Sequence, residues 1–178
     1  INLMKSGPVH DKAKQLLNWS LVASAMLNEI VESFDDHFSF ELNKIKKHTG
    51  QQYIAKVLNN ILKDSRLITR RVDHFYNNNI EDRFFKRKVQ EYYSLRCLPQ
   101  ILGAVHDTII HAEKVVVDET NSVSDNPIVD LETENVYHGG NFHGDYVSLE
   151  MDKLKLATTR ISMLAERQLA FLMNPRLN

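Results

Sequence analysis

The chain has a single cysteine, Cys97, so no internal disulfide can form, and the expected location is the reducing cytosol. Charge of one sign is also missing. Lysine and arginine number 22 against 23 aspartates and glutamates, a net charge of −1, which removes any electrostatic reason to expect nucleic acid or an anionic membrane as partner. No apolar run reaches the ~18 residues of a spanning helix, and no charged start leads into an apolar stretch. Neither a membrane protein nor an export signal is expected. The string G-x-x-x-x-G-K-[ST] is absent, which excludes that phosphate cradle, and no serine sits in G-x-S-x-G. Glycine is scarce, with six in all, yet three of them fall in the seven positions 138–144, which read HGGNFHG.

What is present is an ordinary globular composition: 43% apolar and 25% charged residues over 178 positions, enough for one domain with its own core. Residues 1–178 are expected to form a single helical unit. The chain begins on Ile1 and stops on Asn178 straight after an apolar, helix-like stretch, and so reads as a piece of something longer. Apolar residues at three- and four-residue steps predict a long helix from residue 11 to about 34 and a shorter one from about 51 to 63. A further helix starts at Pro99 and runs to about 121, and another long one spans 147–171. Residues 66–89 show no sustained period and read as an irregular connection. Short extended runs at 128–131 and 135–137, with Glu132-Thr133-Glu134 between them, predict a small hairpin. The fold class is mostly α: a long-helix bundle with one hairpin.

Three stretches are candidates for chemistry. In HGGNFHG, a metal site would need two ligands beyond His138 and His143, and no cysteine pair, no helical H-x-x-x-H and no carboxylate at ligand spacing supplies them. No metal is expected. Gly139 and Gly140 permit unusual backbone conformations or close approach, so Phe142 is either presented from a bend or buried as core ahead of the next helix. In Gln90-Glu91-Tyr92-Tyr93-Ser94-Leu95-Arg96-Cys97-Leu98-Pro99-Gln100, Arg96 has the planar fork that grips a carboxylate, and Tyr93 has a hydroxyl that can move a proton. The plain alternative is a surface arginine beside a packed tyrosine. Residues 121–127, N-S-V-S-D-N-P, are rich in side chains that bond nearby backbone and read as structural, and Cys97 reads as a buried, inert thiol.

Taken in order, YSLRCLPQ, N-S-V-S-D-N-P and GGNFHG resemble the aromatic amino acid ammonia-lyases, with histidine ammonia-lyase the nearest kin. The resemblance is strong from about residue 89 to 178 and looser, through helix pattern, over 11–71. It implies a long-helix bundle of the ammonia-lyase/fumarase-like helical type, assembled as a homotetramer with active sites built from more than one subunit. It also implies a reaction: ammonia and an α,β-unsaturated acid formed from an aromatic L-amino acid, whether histidine, tyrosine or phenylalanine. The electrophile would be 4-methylidene-imidazol-5-one (MIO), made by the family's chains from their own Ala-Ser-Gly. By the same resemblance Arg96 would hold the substrate carboxylate, Tyr93 would be the catalytic tyrosine, Gln90 would hydrogen-bond near the cofactor, and Phe142 would pack against substrate or cofactor. His143 would contribute a hydrogen bond at most.

Two departures qualify this. The family's Gln-Asp-Pro-Tyr is Gln90-Glu91-Tyr92-Tyr93 here, which trades a proline for a bulky ring. Ala-Ser-Gly occurs nowhere; the nearest string, Ala23-Ser24-Ala25, lies inside the first predicted helix. The segment would then be inactive alone and would contribute residues to a site completed by other parts of the parent chain. An aminomutase of the same family, which returns the amine to the β-carbon, is the sister expectation, and a non-catalytic helical oligomerisation module the rival.

Overall fold

The computed structural model describes residues 2–75 and 89–175. Helix α1 spans Asn2–Ile30, a 3₁₀ turn covers Asp36–Phe38, and α2 (Phe40–Lys44) and α3 (Thr49–Leu62) follow. Then come α4 (Arg71–Phe75), α5 (Tyr93–Arg96), α6 (Leu98–Thr120), a hairpin of β1 (Ile128–Asp130) and β2 (Asn135–Tyr137), and α7 (Asp145–Met173). The irregular connection expected over residues 66–89 contains α4, and its residues 76–88 lie outside the described residues.

The bundle is α1, α3, α6 and α7, with α6 packed against the other three. Leu17, Leu58, Leu102, Ile109, Leu154 and Ile161 meet in its centre. No described helix is long and apolar enough to cross a membrane. The closest approach is α3 on α6. A Cβ on Gly103 would stand 2.5 Å from the Gln51 nitrogen, and one on Gly50 would stand 2.3 Å from the Gly103 carbonyl oxygen, so only hydrogen fits at either position. Asp107 of α6 uses that contact: its carboxylate accepts from the Gly50 N–H at 3.1 Å and the Thr49 hydroxyl at 3.3 Å. It thereby satisfies the start of α3, where His48 offers no side-chain cap, and sets a negative charge against the positive end of that helix.

Helix α1 begins at Asn2, well ahead of the expected residue 11, and stops at Ile30 without continuing to residue 34. The Ser33 N–H reaches back to the Asn28 carbonyl at 3.0 Å and the Glu32 N–H to the Glu29 carbonyl at 3.0 Å, with Glu32 left-handed at φ 49°. That is a Schellman end with a glutamate where glycine is usual. Phe34 leaves the helix but stays buried, bridged to Thr69.

On α7 the buried positions are Val147, Glu150, Leu154, Ala157, Ile161, Leu164, Gln168 and Phe171, a seam with alternating three- and four-residue steps. The apolar stripe expected from the sequence merges this seam with a second one, because Leu149, Leu156 and Leu169 face outward. On α1, Trp19, Met26 and Ile30 are likewise exposed. The hairpin pairs Ile128 with Tyr137 and Val129 with Val136. Its turn is closed by Asp130, whose carboxylate accepts from the Thr133 hydroxyl at 2.6 Å and the Glu132 N–H at 3.0 Å. Those bonds, the Thr133 hydroxyl first, hold the Asp130 carboxyl below its ordinary range.

Candidate active site

Proline decides the shape of the Tyr93 region. Pro99 has no N–H, so the Leu95 carbonyl lacks the donor that would splice α5 into α6, and the chain breaks at Cys97 into two helices. Leu95 is wholly buried against Leu27 and Phe171. This turns the opposite face outward. Tyr93 and Arg96, three apart, share that face, with the guanidinium carbon 4.8 Å from the ring centroid and the ring 71% exposed. Gln90 is exposed in the bend just ahead. Tyr92, the ring that replaces the family's proline, rests edge-on against Phe171 at 5.3 Å, while Glu91 is buried.

The segment is held at two carbonyls. The Arg71 guanidinium donates to the Val89 carbonyl at 2.8 Å, and is itself held by Asp36 at 2.6 Å and stacked 4.0 Å over Phe34. Gln168 donates to the Ser94 carbonyl at 3.1 Å. An open groove of about 750 Å³ beside Tyr93 is walled by Gln100, Arg160, Arg167 and Phe171. Arg71, Arg160, Arg167 and Gln168 escape sequence reasoning. Buried polar residues follow no period, and a lone arginine on a helix carries no motif.

Arg96 also faces the 3₁₀ turn, where its charge and that of Arg71 act on His37. Burial lowers the His37 pKa from 6.5 to about 4; Asp36 and Asp35 pull the other way, and the two arginines reinforce the fall. The sign follows directly. Above pH 6.5 the ring is neutral folded and unfolded; as pH falls toward 4 only the unfolded chain binds the proton, so stability drops until the folded ring also protonates. Unfolding free energies from urea denaturation at about pH 7.5 and about pH 4.5 are expected to differ by roughly 2–3 kcal/mol more in the parent than in His37→Gln. An equal pH slope in the variant would remove His37 as the cause. Cys97 is half-buried, less enclosed than the sequence suggested, and burial pushes its thiol above the ordinary range against the pull of Arg96.

Phe142 is 63% exposed and packs into no core among the described residues. It sits in a turn closed by the His143 N–H on the Gly140 carbonyl at 2.9 Å, and the Asn126 side chain ties the loop down by accepting from the Gly139 N–H at 2.8 Å. The expected reason for the glycines is corrected. Neither Gly139 nor Gly140 has positive φ, and a Cβ on either would meet nothing within 4 Å among the described residues. Residues 121–127 cap and turn as expected: Asn121, Ser122 and Ser124 bond back to the end of α6. His143 pairs loosely with Asp145 at 3.5 Å, both exposed. The structure brings Gln90, Tyr93 and Arg96 together but not Phe142. Phe142 precedes the first turn of α7 and Ser94 touches Gln168, so roughly 35 Å of helix separates them at 1.5 Å per residue.

A core of long helices with one small two-stranded hairpin is the helical architecture of the aromatic amino acid lyases and aminomutases. The chain belongs to the aromatic amino acid lyase family, whose model matches residues 8–178. It is 36% identical over 177 residues to tyrosine 2,3-aminomutase of Myxococcus sp. (strain Mx-B0), covering 94% of this chain and 33% of that protein. It is 36% identical over 167 residues to histidine ammonia-lyase of Myxococcus xanthus (strain DK1622), covering 94% and 30%. The solved phenylalanine aminomutase of Pantoea agglomerans superposes with a TM-score of 0.89 at 31% identity, over 97% of this chain and 34% of that one. The chain thus spans about a third of the length of the curated relatives it matches.

The string Ala-Ser-Gly does not occur in the 178 residues. Ser24 of Ala23-Ser24-Ala25 is fully buried in α1, where its hydroxyl accepts from Gln168 at 2.8 Å, and no glycine follows to close a ring. Gln90, Tyr93 and Arg96 stand on one short segment whose Tyr93 face is open.

Proposed function

We propose that this chain is the central segment of an MIO-dependent ammonia-lyase, a cytoplasmic homotetramer acting on histidine, tyrosine or phenylalanine. The observation that carries the reading is the pairing of Tyr93 with Arg96 on the outward face of one pinned turn. The planar guanidinium of Arg96 grips the substrate carboxylate in a two-pronged contact. The Tyr93 hydroxyl handles the proton at the β-carbon, whose departure with the amine leaves the carbon–carbon double bond. Gln90 donates or accepts toward the ring, which supplies the electrophile that activates the amine and is carried by another part of the parent polypeptide. Phe142 comes from a different copy, because the length of α7 keeps it from its own Tyr93. The uncovered stripe on α7 at Leu149, Leu156 and Met163, and the open space around Gly139 and Gly140, support such an assembly.

The aminomutase reading stands beside it on one observation: a tyrosine 2,3-aminomutase and a histidine ammonia-lyase match at equal identity, which separates neither from the other. The deciding assay gives L-histidine, L-tyrosine and L-phenylalanine to the full-length polypeptide carrying this chain, following arylacrylate absorbance together with mass-spectrometric detection of β-amino acids. A lyase is expected to release ammonia and arylacrylate one to one from one of the three. A β-amino acid as main product moves the assignment to aminomutase. Inertness to all three overturns both in favour of the oligomerisation module.

A further inference from the structure

Tyr93 and Arg96 sit on a turn too short to hold its own shape. A four-residue helix fixes many dihedrals for few hydrogen bonds, and Pro99 denies it a splice into α6. Its orientation therefore comes from outside. Gln168 of α7, 7% exposed, supplies it: the two hydrogens of Nε2 reach the Ser94 carbonyl at 3.1 Å and the Ser24 hydroxyl oxygen at 2.8 Å.

The second contact fixes the amide itself. Ser24 is fully buried, and its carbonyl accepts from the Asn28 side chain at 2.8 Å. Asn28 accepts in turn from the Ser33 hydroxyl at 2.6 Å, and the Ser33 carbonyl accepts from the Thr69 N–H at 2.9 Å. Asp35 continues the path, donating its N–H to the Thr69 carbonyl at 3.2 Å and accepting the Arg71 N–H at 3.0 Å, and Arg71 holds Val89. A polar path, buried from Gln168 through Ser24 and Asn28 to Ser33 and open at its Arg71 end, thus joins the two carbonyls by which the segment bearing Gln90, Tyr93 and Arg96 is held. Satisfied networks of this kind rigidify what they touch.

We infer that Gln168 is the positioning residue of the Tyr93–Arg96 turn: it grips Ser94, beside both side chains, and so aims the Arg96 guanidinium at the substrate carboxylate. The inference rests on the proposed role of Arg96. A planar fork selects by geometry, and a misplacement of about 1 Å costs on the order of 10²-fold in such contacts.

The test uses the full-length, assembled polypeptide and three acid probes, cinnamate, p-hydroxycinnamate and urocanate. Each is compared with its carboxamide, which keeps the ring and loses the charge. The readout is the ratio of dissociation constants, amide over acid. Gln168→Met is expected to shrink that ratio by about tenfold, and Ser24→Ala, which removes only the contact that aims the amide, by about threefold. A merely structural role would lower the melting midpoint and leave the ratio alone, so an intact ratio in Gln168→Met overturns the inference. If that variant does not fold, Ser24→Ala decides by the same ratio. Arg96→Ala is the reference. Should it shrink the ratio while the Gln168 and Ser24 variants do not, only the positioning role fails; should it leave the ratio whole, the carboxylate role fails and the positioning role with it.

Discussion

Turnover is expected to fall by about 10²–10⁴-fold when Tyr93 is replaced by phenylalanine, with KM nearly unchanged. The substitution removes one oxygen. The ring stays, and with it the stacking of Arg96 at 4.8 Å. Because that ring is 71% exposed and the turn is held by Leu95, Gln168 and Arg71, the fold has nothing to lose. Steady-state kinetics on the full-length polypeptide, with a melting curve beside them, separate the outcomes. A kcat within about threefold of the parent would end the proton-transfer role of Tyr93, whatever KM does.

The second large effect is on stability. Gly103→Ala places a Cβ 2.5 Å from the Gln51 nitrogen and 2.6 Å from its Cα, and backbone atoms of a packed helix cannot step aside as a flexible side chain would. Helices α3 and α6 must part, which also pulls the Gly50 N–H from Asp107. Overpacking and the lost cap together are expected to cost about 3 kcal/mol or more. Gly7→Ala is the internal comparison. Gly7 lies inside α1 with open space around it and just ahead of Pro8, where the gain in helix propensity opposes the crowding of a Cβ by the proline ring, so alanine there should change stability by no more than about 1 kcal/mol. Urea denaturation of both variants reads the contrast. Equal stability of Gly103→Ala and parent would mean that the helices do not approach so closely.

Long elements were legible because their apolar residues keep one period. Helices α3 and α6 and strand β2 fall within two residues of expectation, and α7 extends two residues beyond it at each end. Where the reading slipped, polar residues had entered the core. The 3₁₀ turn and α2 are built around buried His37 and Asn43, whose amide donates to the His37 and Ser39 carbonyls, and a pattern of apolar residues cannot register such a centre. The same blindness hid Gln168. It continues the seam of Leu154, Ile161 and Leu164, yet by residue type it belongs to the polar face, while Leu149 and Leu156, apolar by type, point outward. The outward leucines carry the same apolar signal as the seam, and periodicity alone has no means to separate the two. Tyr93, Arg96 and Phe142 are candidates by residue chemistry, each beside a plain alternative, and motif resemblance singles them out. That they lie at opposite ends of α7 needed the fold.

That distance makes α7 a gauge block. One residue inserted near its middle would turn one end against the other by about 100° and shift it by about 1.5 Å. The seam from Val147 to Phe171 would fall out of register, and every copy in an assembly would offer its Phe142 in the wrong direction relative to its own Tyr93. Insertions and deletions among relatives should therefore spare this helix and collect in the hairpin turn at residues 131–134, where every side chain faces outward.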